Sequence, residues 1–220
     1  MNTVIYSFIS FAISIVAFGY GAAKLFHKKK PLYFQILVCA AGCFAVSQLS
    51  NIVNVWCAVP DAFSVGLFGY FGCNFFLLSA NLGTLDRIVD DGQSAGKARA
   101  LGLVAPVVMA LLIVTAFMAW KERDIYRAIA WVIMLMPALP ASFFNLKHIL
   151  LPLDPYEFLK ATRSCNLIAL LFYILISMYS VVSSTGNEML SGILLVLISV
   201  QMLSLTLSAE RGEKLWAISA

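Results

Sequence analysis

From Phe34 to Trp56 the chain reads FQILVCAAGCFAVSQLSNIVNVW, with no charged side chain. A helix of that length, at about 1.5 Å per residue, spans roughly the 30 Å of a bilayer's hydrocarbon. The run is not uniformly apolar, however. Placed at 3.6 residues per turn, Cys43, Ser47, Ser50, Asn51 and Asn54 fall within an arc of about 100°. Lipid has no use for that stripe, so it is expected to face protein or water.

Six further apolar runs share the chain with it. Hydrophobic residues make up 61% of the sequence and charged residues 12%, where a soluble domain carries about 25% charge. One soluble core cannot hide that much apolar surface. The expected fold is all-α, a polytopic membrane protein with seven transmembrane helices in one domain over residues 1–220 and no soluble domain. The spans fall at about 3–23, 34–56, 62–83, 100–120, 125–146, 161–183 and 189–209. The first has no basic residue before it, is long for a signal peptide, and is followed by Lys24, Lys28, Lys29 and Lys30, so it reads as a retained span.

Charge sets the orientation. Loops after spans 1, 3 and 5 plus the C-terminal tail hold twelve of the fifteen Lys and Arg residues, and Lys121, Arg123 and Arg127 lie on the other side. That bias predicts an N-terminus outside and a C-terminus inside, in the cell membrane. Trp56 and Trp120 would then lie in the outer aromatic belt. The net charge of +4 follows this pattern, and no nucleic-acid partner is expected.

Two local signals shape the later spans. Asp154-Pro155-Tyr156-Glu157 reads as a capped helix start with proline in the first turn. Pro137 and Pro140 interrupt span 5, each removing a backbone donor, and are candidate hinge residues.

The acidic residues all lie at helix ends or in loops, and His27 and His148 lie at the basic edge. An intramembrane proton relay or hydrolytic metal centre needs acids or histidines in the interior. A retinal Schiff base needs a lysine that span 7 lacks. Five cysteines, four inside apolar runs, suit buried small side chains better than disulfides or zinc. No metal, no cofactor and no enzymatic activity is therefore expected.

What the interior holds is neutral polarity. Asn166, Tyr173, Ser177, Ser180 and Ser184 share one face of span 6, and Ser7, Ser10 and Ser14 one face of span 1. Serines of this kind commonly serve helix packing. Amides in hydrocarbon need partners, and several of them converging suggest a shared network or a hydrated pocket. The candidate ligand-binding set is Asn51, Asn54, Asn74, Asn81, Tyr173 and Gln201.

A faint repeat adds to this. IYSFISFAI opens span 1 and IYRAIAWVI opens span 5, and Asn74 of span 3 matches Gln201 of span 7. That suggests 3+1+3 parallel repeats with span 4 as linker, a transporter-type plan. Seven spans in this orientation are shared by G-protein-coupled receptors, microbial rhodopsins and SWEET-type sugar transporters. Leu85-Asp86-Arg87 resembles the receptor Asp-Arg-Tyr corner, but Ile88 replaces the tyrosine, and span 7 lacks Asn-Pro-x-x-Tyr. The leading expectation is an integral membrane protein moving a small neutral or zwitterionic solute through a polar cavity lined by spans 1, 2, 3, 6 and 7. The alternative is a membrane sensor signalling through a cytoplasmic partner at loop 84–99.

Overall fold

A computed structural model describes residues 2–27, 30–57, 66–82, 95–151 and 157–219. These form nine α-helices, α1 (Asn2–His27), α2 (Leu32–Trp56), α3 (Gly66–Ala80), α4 (Ala95–Gly102), α5 (Val104–Lys121), α6 (Ile125–Leu135), α7 (Ala138–Leu150), α8 (Glu157–Thr185) and α9 (Glu188–Ser219). Helices α4 and α5 run on as one rod, as do α6 and α7. Six rods are long and apolar enough to cross a membrane, and α3 is a shorter apolar helix. The molecule is a multi-pass α-helical membrane protein.

Its surface is inverted relative to a soluble protein. On α5, Val107, Leu111, Val114 and Met118 recur at helical spacing and all stand exposed. Small and aromatic residues fill the centre instead, among them Ala40, Ala41, Phe44, Phe172 and Tyr173.

Successive rods alternate in direction, as the contacts between their ends require. The second half of α2 meets the start of α3 where Ser47 Oγ donates to the Gly66 carbonyl at 2.7 Å. The ends of α5 and α8 meet where Trp120 Nε1 donates to the Ser180 carbonyl at 2.9 Å. Neighbour relations run α1–α2–α3, then α3 to α6 and α7, α7 to α8, α8 to α9, and α9 back to α1. The α4–α5 rod packs against α6, α7 and α8. Lys24, Lys30, Arg99, Lys147, Arg163 and Arg211 lie toward one end, called here the basic end.

Several boundaries differ from the expected ones, for physical reasons. Span 4 starts five residues early, at Ala95, because Ala-Gly-Lys-Ala-Arg-Ala carries helix formers ahead of the apolar run. The seventh helix runs on to Ser219 instead of ending at 209, since Gly212 alone costs a helix only about 1 kcal/mol. Helix α3 closes on a short π-helical turn at residues 81–82. The Asp154–Pro155 cap lies outside the described residues. Asp124 supplies a cap that sequence reading passed over, its carboxylate accepting from Arg127 N at 2.9 Å to start α6.

Span 5 breaks between Leu135 and Ala138, at Pro137, while Pro140 lies in the first turn of α7. Close helix contact elsewhere depends on glycine. A Cβ on Gly69 would sit 2.6 Å from the Cys43 carbonyl of α2, so α2 and α3 can approach this closely only with hydrogen there. Gly186, at φ +74°, makes the turn from α8 into α9.

Candidate functional site

The polar stripe of α2 faces α3, and its contacts are filled. Tyr70 OH of α3 accepts from Gln48 Nε2 at 2.9 Å and from Asn51 Nδ2 at 3.2 Å. Gln48 Oε1 accepts from Ser10 Oγ of α1 at 2.9 Å, and Ser10 Oγ lies 2.5 Å from Ser199 Oγ of α9. This network joins four helices in the half of the bundle away from the basic end. Its hub, Gln48, is fully buried, yet on a helical wheel it stands about 60° beyond the edge of the polar stripe. The amide type was the signal that could have found it.

Beneath this network lies a layer of rings. Phe44 packs edge-on against Tyr70 and Phe172, each at 5.8 Å between centroids, and Trp131 lies 6.3 Å from Tyr70 and 6.0 Å from Tyr179. Phe44 and Phe172 meet across the bundle, one from the first three spans and one from the last three.

A second polar group occupies the half toward the basic end. Asn81 Nδ2 donates to Asn145 Oδ1 at 2.6 Å, and Asn81 Oδ1 lies 3.3 Å from His148 Nδ1. Sequence reading placed His148 at an edge and stopped span 5 next to Asn145, but both are completely buried. Lys147 beside them reads as a boundary, and it too is buried, with its ammonium over the Phe144 ring. Higher up, Asn74 Nδ2 donates to the Met134 carbonyl at 3.0 Å. Met134 sits just before the proline break, so the interrupted rod is tied to α3 at that point.

The polar atoms here are only partly satisfied. Among the described residues, Asn74 Oδ1, Asn145 Nδ2, Asn166 Nδ2, Tyr173 OH and Ser180 Oγ are buried without a hydrogen-bond partner. Asn166, Tyr173 and Ser180 are spaced seven apart, so they rise along one face of α8 for about 21 Å. The Tyr173 hydroxyl lies beside the Asn145 side chain and near Cys73. The Tyr33 hydroxyl lies against the Cys165 thiol. Each unsatisfied buried group costs about 1–3 kcal/mol, so water or a solute is the expected partner.

The six residues singled out from sequence are thus divided. Asn51 belongs to the closed network, while Asn74, Asn81 and Tyr173 belong to the partly open group. Asn54 and Gln201 are half-buried. Asn74 and Gln201 lie on helices that are not among the close neighbours, and Asn74 turns to the Met134 carbonyl instead. Asn145 and Asn166 join the group, and Ser180 lies on the same face of α8 at its far end, beside Trp120. The partner segment 84–99 lies outside the described residues up to Ala95, where α4 begins.

At the basic end, Glu210 is buried against α1, taking Lys24 Nζ at 3.0 Å and the Tyr20 hydroxyl. This clasp joins α1 to α9. At the opposite end of the α3–α6 seam, a groove of about 400 Å³ lies between Leu67, Phe68, Phe71 and Tyr126, Ile129, Ile133. Trp56 is exposed, whereas Trp120 turns inward onto α8.

Comparison with known proteins finds no matching family model, no matching curated protein and no matching solved structure. The class therefore rests on the molecule itself, an integral membrane protein with a polar interior.

Proposed function

We propose that the protein sits in the cell membrane as a seven-span bundle with its N-terminus outside, and passes a small neutral or zwitterionic solute between its first three and last three spans. The observation that carries this reading is the file of buried polar atoms along α8 that have no hydrogen-bond partner among the described residues. It covers about two-thirds of a bilayer's hydrocarbon thickness. Packing glue would be satisfied, as the Gln48 network is, and a file of unmet donors suits a molecule that comes and goes.

The neighbour relations support the 3+1+3 plan. Span 1 packs on 2 and 2 on 3, as 5 packs on 6 and 6 on 7. Span 3 meets 5 as span 7 meets 1, with span 4 alongside. In that plan the seams between triplets move. The seam between α3 and the α6–α7 rod is joined at the basic end by Asn81 and Asn145 of α7, and at the other end, against α6, it holds the 400 Å³ groove. The broken rod α6–α7 is the natural hinge, with Asn74 on the Met134 carbonyl as its catch.

Uptake of radiolabelled glycerol and urea into proteoliposomes tests the reading. Asn74→Leu should abolish uptake seen with the wild type while leaving the protein helical and monodisperse. Equal accumulation in protein-free liposomes would defeat it. Orientation is tested separately by labelling single cysteines from outside. Cysteine at Glu122 or Asn187 should react, and cysteine at Lys29 or Gly92 should not; the reverse would turn the molecule over.

A further inference from the structure

The open atoms toward the basic end are unequal in kind, and this narrows what they can hold. Asn81 Nδ2 takes Asn145 Oδ1 at 2.6 Å, which turns the Asn145 NH2 group away from Asn81. That NH2 group is unmet, as is the NH2 of Asn166 and the hydroxyl of Tyr173. All three residues are at most 1% exposed. Asn145 and Tyr173 lie side by side, and Asn166 is two turns from Tyr173 on the same helix face.

The two amide NH2 groups can only donate, the phenol beside Asn145 still has its own proton to give, and the unmet amide acceptor is Asn74 Oδ1. A guest that satisfies them must bring acceptors. None of the three carries charge, and an ion would lose its hydration to neutral groups alone. We infer that Asn145 and Tyr173, with Asn166 two turns along the same face, form a binding site for a small neutral molecule bearing acceptor oxygens, a carbonyl or hydroxyl compound, with the Asn81–Asn145 bond closing it toward the basic end. The inference rests on the transport reading only for how the solute arrives. Binding itself needs no passage.

The chain carries its own reporters. Cys73 lies near the Tyr173 hydroxyl, and Cys165 precedes Asn166 and lies against Tyr33. Both thiols are buried, whereas Cys57 is exposed. Full-length protein in nanodiscs is treated with methyl methanethiosulfonate, a small neutral reagent, and modification of each cysteine is followed by mass spectrometry. Urea, guanidinium and acetate are added in parallel at sub-denaturing concentration. Urea and guanidinium have nearly the same shape, but only urea is neutral and carries an acceptor oxygen, while acetate has acceptors and a charge.

The expected result is slow but measurable modification of Cys73 and Cys165, slowed several-fold by urea and unaffected by the two ions. Cys57 should be indifferent to all three. Tyr173→Phe and Asn166→Leu should each remove the urea effect while leaving both thiols reactive. Inert thiols would mean a dry, sealed core and would overturn the inference. So would equal protection by guanidinium or acetate, or urea protection that survives both variants. Protection without urea flux in proteoliposomes would keep the site and defeat the transport reading, and flux without protection would do the reverse.

Discussion

In the half of the bundle away from the basic end, Ser10, Gln48, Asn51, Tyr70 and Ser199 join four helices through side-chain contacts of 2.5–3.2 Å. In the other half, Asn145, Asn166 and Tyr173 are equally buried, and each leaves an atom unmet. Composition does not separate the two regions, since both are amides, hydroxyls and a tyrosine. Bond completion does. Where the buried polar atoms have partners, polarity fixes helix positions, and bringing helices apart breaks bonds that lipid cannot replace. Where donors outnumber acceptors, the protein is finished only by something it does not encode. The ring layer of Phe44, Tyr70, Trp131 and Phe172 stands between the two regions, so each can keep its own hydration.

The comparison breaks most readily at Gln48. Gln48→Leu removes the acceptor of Ser10 and one of the two donors to Tyr70 at a site with no access to water. Loss of two interhelical bonds should cost about 2 kcal/mol, read as a lowered midpoint of reversible unfolding in mixed micelles. A cost under about 0.5 kcal/mol, within the range of an ordinary surface substitution, would show that the network holds nothing in place.

Much of this was legible before any coordinate. Apolar runs and their length reveal the spanning helices because hydrocarbon leaves the backbone no other choice, and Pro137 and Pro140 mark the break in span 5. The site was half legible. Asn74, Asn81 and Tyr173 stand out as polar residues inside apolar runs. Asn145 does not, because Lys147 two positions on reads as the end of the membrane, and only tertiary packing shows that Asn145, Lys147 and His148 are all buried. Pairing was not legible at all. Helical spacing gives a residue's face and depth, but which helix it meets depends on the order of rods around the bundle. Asn74 shares a depth with Gln201, yet it bonds to Met134 because α3 packs on α6.

The smallest effect is the sharpest test, and it uses the same chemical change twice. Tyr70 and Tyr173 are both buried tyrosines, and replacing either with phenylalanine removes one oxygen and little else. At Tyr70 that oxygen accepts from both Gln48 and Asn51. Tyr70→Phe strands the Gln48 amide donor and removes the shorter of two bonds from Asn51 Nδ2, and should cost about 1 kcal/mol, at the upper part of the range for polar contacts between membrane helices. At Tyr173 the hydroxyl has only the Asn145 side chain beside it, outside good hydrogen-bond geometry, among the described residues. Its removal ends a desolvation penalty and loses only a guest or a water, so Tyr173→Phe should shift unfolding by less than about 0.5 kcal/mol in either direction. Unfolding of the two variants is measured side by side in the same micelles, without added solute. If Tyr173→Phe costs as much as Tyr70→Phe, its hydroxyl has a protein partner, and the contrast between a closed and an open polar region disappears.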